Sequence, residues 1–296
     1  MEKALHQWAG NHLQTTLERF TRTPFRGMVA SAAITAAVQS STAITVITIG
    51  LVNAGLMKFS QTLGVILGTN IGTTLTTELL SLNLTKHALP LFIIAMSVWL
   101  TSLAIPAATR SLNPPWLHHI RNLALALIGF SCVLLGMEVM QSIIPELRSR
   151  GLFAWFVQQS QSSLLWGLLA GIIISGLVHS GVLTITLAMS MASVQAITVE
   201  VGIAIAIGSN IGTCVTALMA SIGGSRFGVY VAWTHILLNV GGALAFYPLI
   251  SLLTSIVAAM SDSPAIQIAH AQTIFNIVCS LAALPLCYTP LIKKIK

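Results

Sequence analysis

Two short polar stretches interrupt an otherwise apolar sequence, and each occurs twice. Gln39-Ser40-Ser41-Thr42 has a counterpart in the second half of the chain, His179-Ser180-Gly181. At the same sequence offset, Gly68-Thr69-Asn70-Ile71-Gly72-Thr73-Thr74 returns as Gly208-Ser209-Asn210-Ile211-Gly212-Thr213-Cys214. These side chains suit the holding of ions. A serine or threonine hydroxyl donates to an oxyanion and offers lone pairs to a cation. If the first stretch is the tip of a helical hairpin, the second arm begins there, and its unpaired N–H groups and positive dipole end favour an anion. A protonated His179 would add to that attraction. In the second stretch, two glycines flanking an asparagine inside an apolar span predict a broken helix, whose freed carbonyls can coordinate Na⁺. The competing explanations are structural: hydroxyls as interhelical glue, and glycines as sites of close helix packing. Recurrence of both clusters in register favours a binding site.

Bond-breaking chemistry finds no support. The sequence has no Ser–His–Asp constellation, no HExxH and no P-loop, and adjacent Ser180 and His179 would point about 100° apart on a helix. The protein is therefore expected not to be an enzyme and to need no cofactor.

The elements that must position these residues follow from composition. Of 296 residues, 55% are hydrophobic and only 7% charged, with a mean hydropathy of +0.87. Soluble domains carry roughly 25% charged residues, so this is an all-α integral membrane protein. Full spans of about 20 residues are expected at 61–80, 88–106 and 121–144, and again at 201–221, 229–257 and 266–291. The stretches 27–55 and 167–195 are each interrupted at the middle by the tip residues. Each is either one long tilted span or a re-entrant hairpin with arms of about 12 residues, reaching ~18 Å into a ~30 Å core.

Charge decides between these. With hairpins, each copy crosses three times and the second is inverted. The side holding both termini then carries 11 of the 14 lysines and arginines, leaving Lys86, Arg148 and Arg150 opposite. With full spans, Lys58, Arg110 and Arg121 change sides and the bias falls to eight against six. The hairpin arrangement obeys the positive-inside rule better and places both termini in the cytoplasm of a plasma (bacterial inner) membrane. Residues 1–26 read as an amphipathic helix lying in the interface, without the apolar core of a cleavable signal. Residues 27–146 form the first repeat and 147–296 the second, with a weaker interfacial helix over 149–163.

The net charge of +7 does not indicate nucleic acid, because the basic residues flank membrane segments. Cys132, Cys214, Cys279 and Cys287 lack metal-ligand spacing and read as small buried hydrophobes. Glu78 and Glu200 fall near span ends and are expected to be solvated. Glu138 is an intramembrane carboxylate and a weaker functional candidate. His235 and His270, each followed by an asparagine (Asn239 and Asn276), are expected to link helices.

Together, Gln-Ser-Ser-Thr and Gly-Thr-Asn-Ile-Gly-Thr-Thr across an inverted duplication resemble the type II sodium–phosphate cotransporters, particularly their short bacterial relatives. The resemblance runs from about Gly27 to Leu291 and is strongest over 36–78 and 205–242. It implies Na⁺-coupled symport of inorganic phosphate by alternating access, with Na⁺ as the coupling ion and the bilayer as the other partner. By that resemblance Gln39, Ser40, Ser41, Thr42, Asn70, Thr73 and Thr74 bind substrate or ion, as do Ser180, Ser209, Asn210 and Thr213. Thr69 belongs to the same motif, and His179 to the second tip. Na⁺ is expected near Ser40, Asn70, Thr73, Ser180, Asn210 and Thr213. The second tip departs from the family, which is expected to read Gln-Ser-Ser there. An amide and a hydroxyl are lost, which leaves room for transport or export of another small anion. A non-transporting membrane protein is the remaining alternative. The oligomeric state is open, a homodimer being among the alternatives.

Overall fold

Residues 20–82, 87–109, 115–147 and 151–289 are described by a computed structural model, and they are helical throughout with no strand among them. The expected N-terminal interfacial helix falls almost wholly outside these residues. In the first copy the helices are α1 (Pro24–Val38), α2 (Ser41–Asn53), α3 (Phe59–Ser81), α4 (Ala88–Thr109) and α5 (Pro115–Leu147). The second begins with α6 (Gly151–Ser162), where the second amphipathic stretch is expected, followed by α7 (Leu165–Val178), α8 (Gly181–Ser193) and α9 (Val199–Gly212). It ends with α10 (Cys214–Ser221), α11 (Arg226–Phe246), α12 (Ile250–Ala258) and α13 (Pro264–Ala283).

The chain reverses at both tips. Gln39 ends α1 with φ 54° and ψ 30°, and Ser40 turns to extended geometry at φ −146°. His179 (φ 56°, ψ 27°) and Ser180 (φ −146°) repeat this almost to the degree. A left-handed residue followed by an extended one cannot continue a helix. What the second arm does is fixed by packing. Gly64 of α3 lies against Pro24, Gly68 against Met28 and Gly72 against Ala32. α1 and α3 thus run parallel, starting side by side, where Gln61 Nε2 also donates to Thr21 Oγ1 at 3.1 Å. For α3 to start beside α1, α2 must return from the tip. Likewise Gly208 of α9 meets Leu168 of α7, and Gly212 meets Ile172. Both copies therefore fold as helix, return arm and parallel helix.

The expected helix break is absent from the first copy and reduced to a single residue, Thr213, in the second. α3 runs unbroken for 23 residues through Gly68 and Gly72. α9 and α10 are separated only by Thr213, which keeps helical angles (φ −62°, ψ −19°) and its N–H bond to Ser209 O at 3.0 Å. The glycines serve close approach instead: a Cβ on Gly68 would stand 2.1 Å from the Met28 carbonyl oxygen, and on Gly208 2.1 Å from that of Leu168.

Among the described residues, four segments are long and apolar enough to cross a membrane: His119–Ile144, Val199–Ser221, Arg226–Ala258 and Pro264–Tyr288. The third bends where Pro248, which lacks an N–H, turns the chain through a 3₁₀ segment at Tyr247–Leu249. α3 is long but carries too many polar residues to count with these four by composition. It is sheltered instead, its buried residues including Leu63, Ile66, Leu67 and Thr69. Outside it, α4 packs chiefly on α5, whereas α13 packs on α3, α8 and α9 and so joins the two copies.

Candidate functional site

Each tip is set by a serine N-cap. Ser40 Oγ accepts from Ala43 N–H at 3.2 Å, and Ser180 Oγ accepts from Leu183 N–H at 3.3 Å. Such caps satisfy one of the orphan donors of a helix start and hold the rest in place. Accepting uses a lone pair, so each serine hydroxyl keeps its proton for something else. Both tips open onto one cavity of about 280 Å³, many times what a single water needs.

The residues on its wall separate the expected site residues into two groups. Gln39, Ser40, Ser41, Thr42, Asn70, Thr73, His179, Ser180, Asn210 and Thr213 all line it. Thr69, Thr74 and Ser209 do not. Each is buried and donates its hydroxyl to a carbonyl one turn back, on Ile66, Ile71 and Ala206 respectively. On α3 the lining residues Asn70, Thr73, Thr76 and Leu80 recur at the spacing of a single helix face. Thr74 follows Thr73 directly and is therefore turned about 100° away from it. Thr76, which recurs as Thr216 just outside the repeated motif, and Gln272 are not among the expected site residues but lie on the wall; the same holds for the apolar Phe130 and Val133.

Two kinds of polar group face this space. At the tips, the hydroxyls of Ser40 and Ser180 and the first-turn N–H groups of α2 and α8 are donors. On α3 and α9–α10 four wall residues already use donors, while Thr76 Oγ1, on the same wall, has no partner. Thr73 Oγ1 donates to Thr69 O at 2.8 Å, and Thr213 Oγ1 donates to Asn210 O at 2.8 Å. Asn70 Nδ2 donates to Asn239 Oδ1 at 3.2 Å, and Asn210 Nδ2 to Ala206 O at 2.9 Å. What these four have left are chiefly oxygen lone pairs. A donor pole suits an anion, and an acceptor pole of neutral oxygens suits a hard cation such as Na⁺.

Around the cavity the copies are tied together by side chains. Asn239 continues from Asn70 to Cys214 Sγ at 3.3 Å and to the His235 carbonyl oxygen at 3.0 Å. Glu78 of α3 corrects an expectation: it is half-buried rather than solvated. Its carboxylate accepts from Thr273 Oγ1 at 2.6 Å and lies 3.0 Å from His270 Nδ1, both on α13. His270 thus links helices, as expected. Glu138 is exposed on α5 and takes no part in the cavity.

Comparison with known proteins bears on the family. The family profile described as Na⁺/Pi-cotransporter matches residues 1–142. "Uncharacterized protein YqeW" of Bacillus subtilis (strain 168) is 30% identical over 97% of this chain and 89% of its own length. "Putative inorganic phosphate export protein YjbB" of Escherichia coli (strain K12) is 24% identical over 93% of this chain. This chain spans only about half of that relative, 48% of its length. The Salmonella typhimurium protein of the same name is 23% identical over the same shares. No solved structure matches. With the paired tips, the repeated asparagine motifs and a relative of this identity along nearly its whole length, the chain belongs to the Na⁺/Pi-cotransporter family.

Proposed function

We propose that the protein carries inorganic phosphate across the plasma (bacterial inner) membrane in symport with Na⁺, by alternating access. The observation that carries this reading is the division of the cavity wall into a donor pole and an acceptor pole. Phosphate sits against the two tips, where Ser40, Ser180 and the helix starts donate. Na⁺ sits against the remaining oxygens of Asn70, Thr73, Asn210 and Thr213. Neither pole carries a permanent charge, so each ion is needed to neutralise the other in a low-dielectric site. That mutual dependence is what couples their movement. The hairpins are re-entrant, three crossings separate the copies, and the second copy is inverted with both termini cytoplasmic. Repeats of that kind rock about a fixed central site.

Proteoliposomes test this directly. An inward Na⁺ gradient drives uptake of labelled phosphate, and a K⁺ gradient of equal size does not. Replacing both tip serines with glycine removes two hydroxyls, while each helix cap loses only a few tenths of a kcal/mol. Ser40→Gly with Ser180→Gly lowers Na⁺-driven uptake about 100-fold or more, since bonds to charged groups are the strong ones. Uptake within twofold of the parent, with the protein still monodisperse, rejects the site.

A second reading concerns direction. Two of the relatives are named "Putative inorganic phosphate export protein YjbB". A symporter runs whichever way the summed gradients point, so efflux from phosphate-loaded vesicles under an outward Na⁺ gradient measures it. Efflux insensitive to Na⁺ on either side would make export without sodium coupling the function.

A further inference from the structure

The cavity is one-sided. Past the tips its wall continues along the first copy, through Thr76, Leu79 and Leu80 of α3 and Gly129, Phe130 and Val133 of α5. On α9–α10 the wall stops at Thr213. Met219 stands where Leu79 does, at the offset of 140 that relates Asn70 to Asn210, yet it lines no part of the cavity.

Helix packing follows the same division. α13 packs along α3, whereas α5, its equivalent in the first copy, packs on α4 and α8 and has no comparable seam with α9 or α10. At the same offset, Phe130 and Val133 of α5 correspond to His270 and Thr273 of α13. The pair that faces the cavity in one copy is therefore, in the other, the pair that bonds across a closed seam. Thr273 Oγ1 donates to the Glu78 carboxylate at 2.6 Å, and His270 Nδ1 lies 3.0 Å from both of its oxygens. Glu78 itself corresponds to Leu218, so no such bond is available between α10 and α5.

Two copies of one fold held in different arrangements can exchange them. The exchange closes α5 onto α10, parts α13 from α3, and brings His270 and Thr273 to a wall like the one Phe130 and Val133 now form. It is the rocking about fixed tips that alternating access requires. The bonds of Glu78 exist in one arrangement alone; in the other, Leu218 meets Phe130 and Val133 without a polar contact. An interaction made in one state only shifts the equilibrium toward that state by its own free energy. Glu78 is 27% exposed, so water takes over part of its bonding when the seam opens, which keeps the shift moderate.

We infer that Glu78, bonded to His270 and Thr273, is a latch that holds the arrangement in this structure and must release each time the carrier turns over. This rests on the transport reading above and deepens it.

Spin labels on the full chain read the two arrangements as distances. Val139 on α5 and Ile222 at the end of α10 are exposed. Labels are attached through Val139→Cys and Ile222→Cys, with Cys132 and Cys279 replaced by serine. Closing α5 onto α10 shortens the distance between them, so pulsed electron spin resonance resolves a long and a short population. Glu78→Leu, which installs the residue of the other copy, raises the ratio of short to long about tenfold, the scale of a bond to a charged group. Thr273→Val raises it about threefold, and adds nothing to Glu78→Leu because its partner is already gone. A merely structural contact would lower the unfolding temperature and leave the ratio alone. If Glu78→Leu does not assemble, Glu78→Gln, which keeps the shape and drops the charge, decides in its place. A ratio within twofold of the parent in a monodisperse variant overturns the latch, and Na⁺-driven phosphate uptake by the parent leaves the transport reading standing. A parent protein that moves no phosphate under any gradient removes both.

Discussion

Along the α1–α3 seam, Gly68 and Gly72 bring backbone within contact of Met28 and Ala32; along α7–α9, their equivalents Gly208 and Gly212 do the same with Leu168 and Ile172. At the tips, which occupy the same register of the two copies, Gln39-Ser40-Ser41 faces the cavity in one and His179-Ser180-Gly181 in the other. At these four seam glycines a Cβ would meet backbone that cannot step aside. Gln39 and His179 at the tips are exposed to the cavity and less constrained, although a Cβ on Gly181 would already press on Thr213. Duplication thus leaves a rigid frame nearly symmetric while the groups facing an ion drift apart. Capping is the exception that fits: Ser40 and Ser180 occur at both tips, where they also hold a helix start.

The strongest challenge to this contrast is to put a methyl group on the frame. Gly208→Ala places a Cβ about 2.1 Å from the Leu168 carbonyl oxygen, and Gly68→Ala does so against Met28. Overpacking of this kind costs about 3 kcal/mol or more. Both variants should lose monodispersity in detergent or unfold well below the parent temperature. Gly136→Ala is the control: no described atom lies within 4 Å of its Cβ position on α5, and helix propensity favours alanine by roughly 0.5–1 kcal/mol. Equal behaviour of the three would dissolve the distinction between frame and surface.

How much of this is legible in the chain follows from the same contrast. The register of the two copies, the polar tips and the asparagines are visible because they are polar interruptions of apolar segments. The glycine pairs around Asn70 and Asn210 are visible too, yet on sequence alone they suggest broken helices. Their role depends on a second helix approaching from elsewhere in the chain, which no local pattern encodes. Gln272 carries no signal because it is a single polar residue without a polar counterpart in the other copy; Thr76 recurs as Thr216, just outside the repeated motif. Glu78 reads as solvated because its partners His270 and Thr273 lie 192 and 195 residues further on.

A smaller effect sharpens the difference between the two asparagines. Asn70 reaches across to Asn239, whereas the Asn210 amide donates within its own helix, to Ala206. A double-mutant cycle of Asn70→Ala with Asn239→Ala should give a coupling energy of about 0.6 kcal/mol, typical of bonds between membrane helices. The corresponding cycle of Asn210→Ala with Asn239→Ala should give none. Thermal unfolding in detergent measures both. Equal coupling in the two cycles would mean that the copies use their asparagines alike.

The smallest effect belongs to the residues that share the motif but not the cavity. Thr69 is fully buried, and its hydroxyl is spent on the Ile66 carbonyl oxygen, which already accepts a helical N–H. Valine has nearly the same shape, and the carbonyl keeps its backbone partner, so Thr69→Val should cost less than about 1 kcal/mol and leave phosphate KM within twofold. Thr73→Val, one turn further along the same helix, removes an oxygen from the acceptor pole and should instead raise the Na⁺ concentration needed for half-maximal uptake. The pair separates motif from site within one turn of α3. If Thr69→Val shifted the Na⁺ dependence as far as Thr73→Val, the cavity wall would not be where the cation is held.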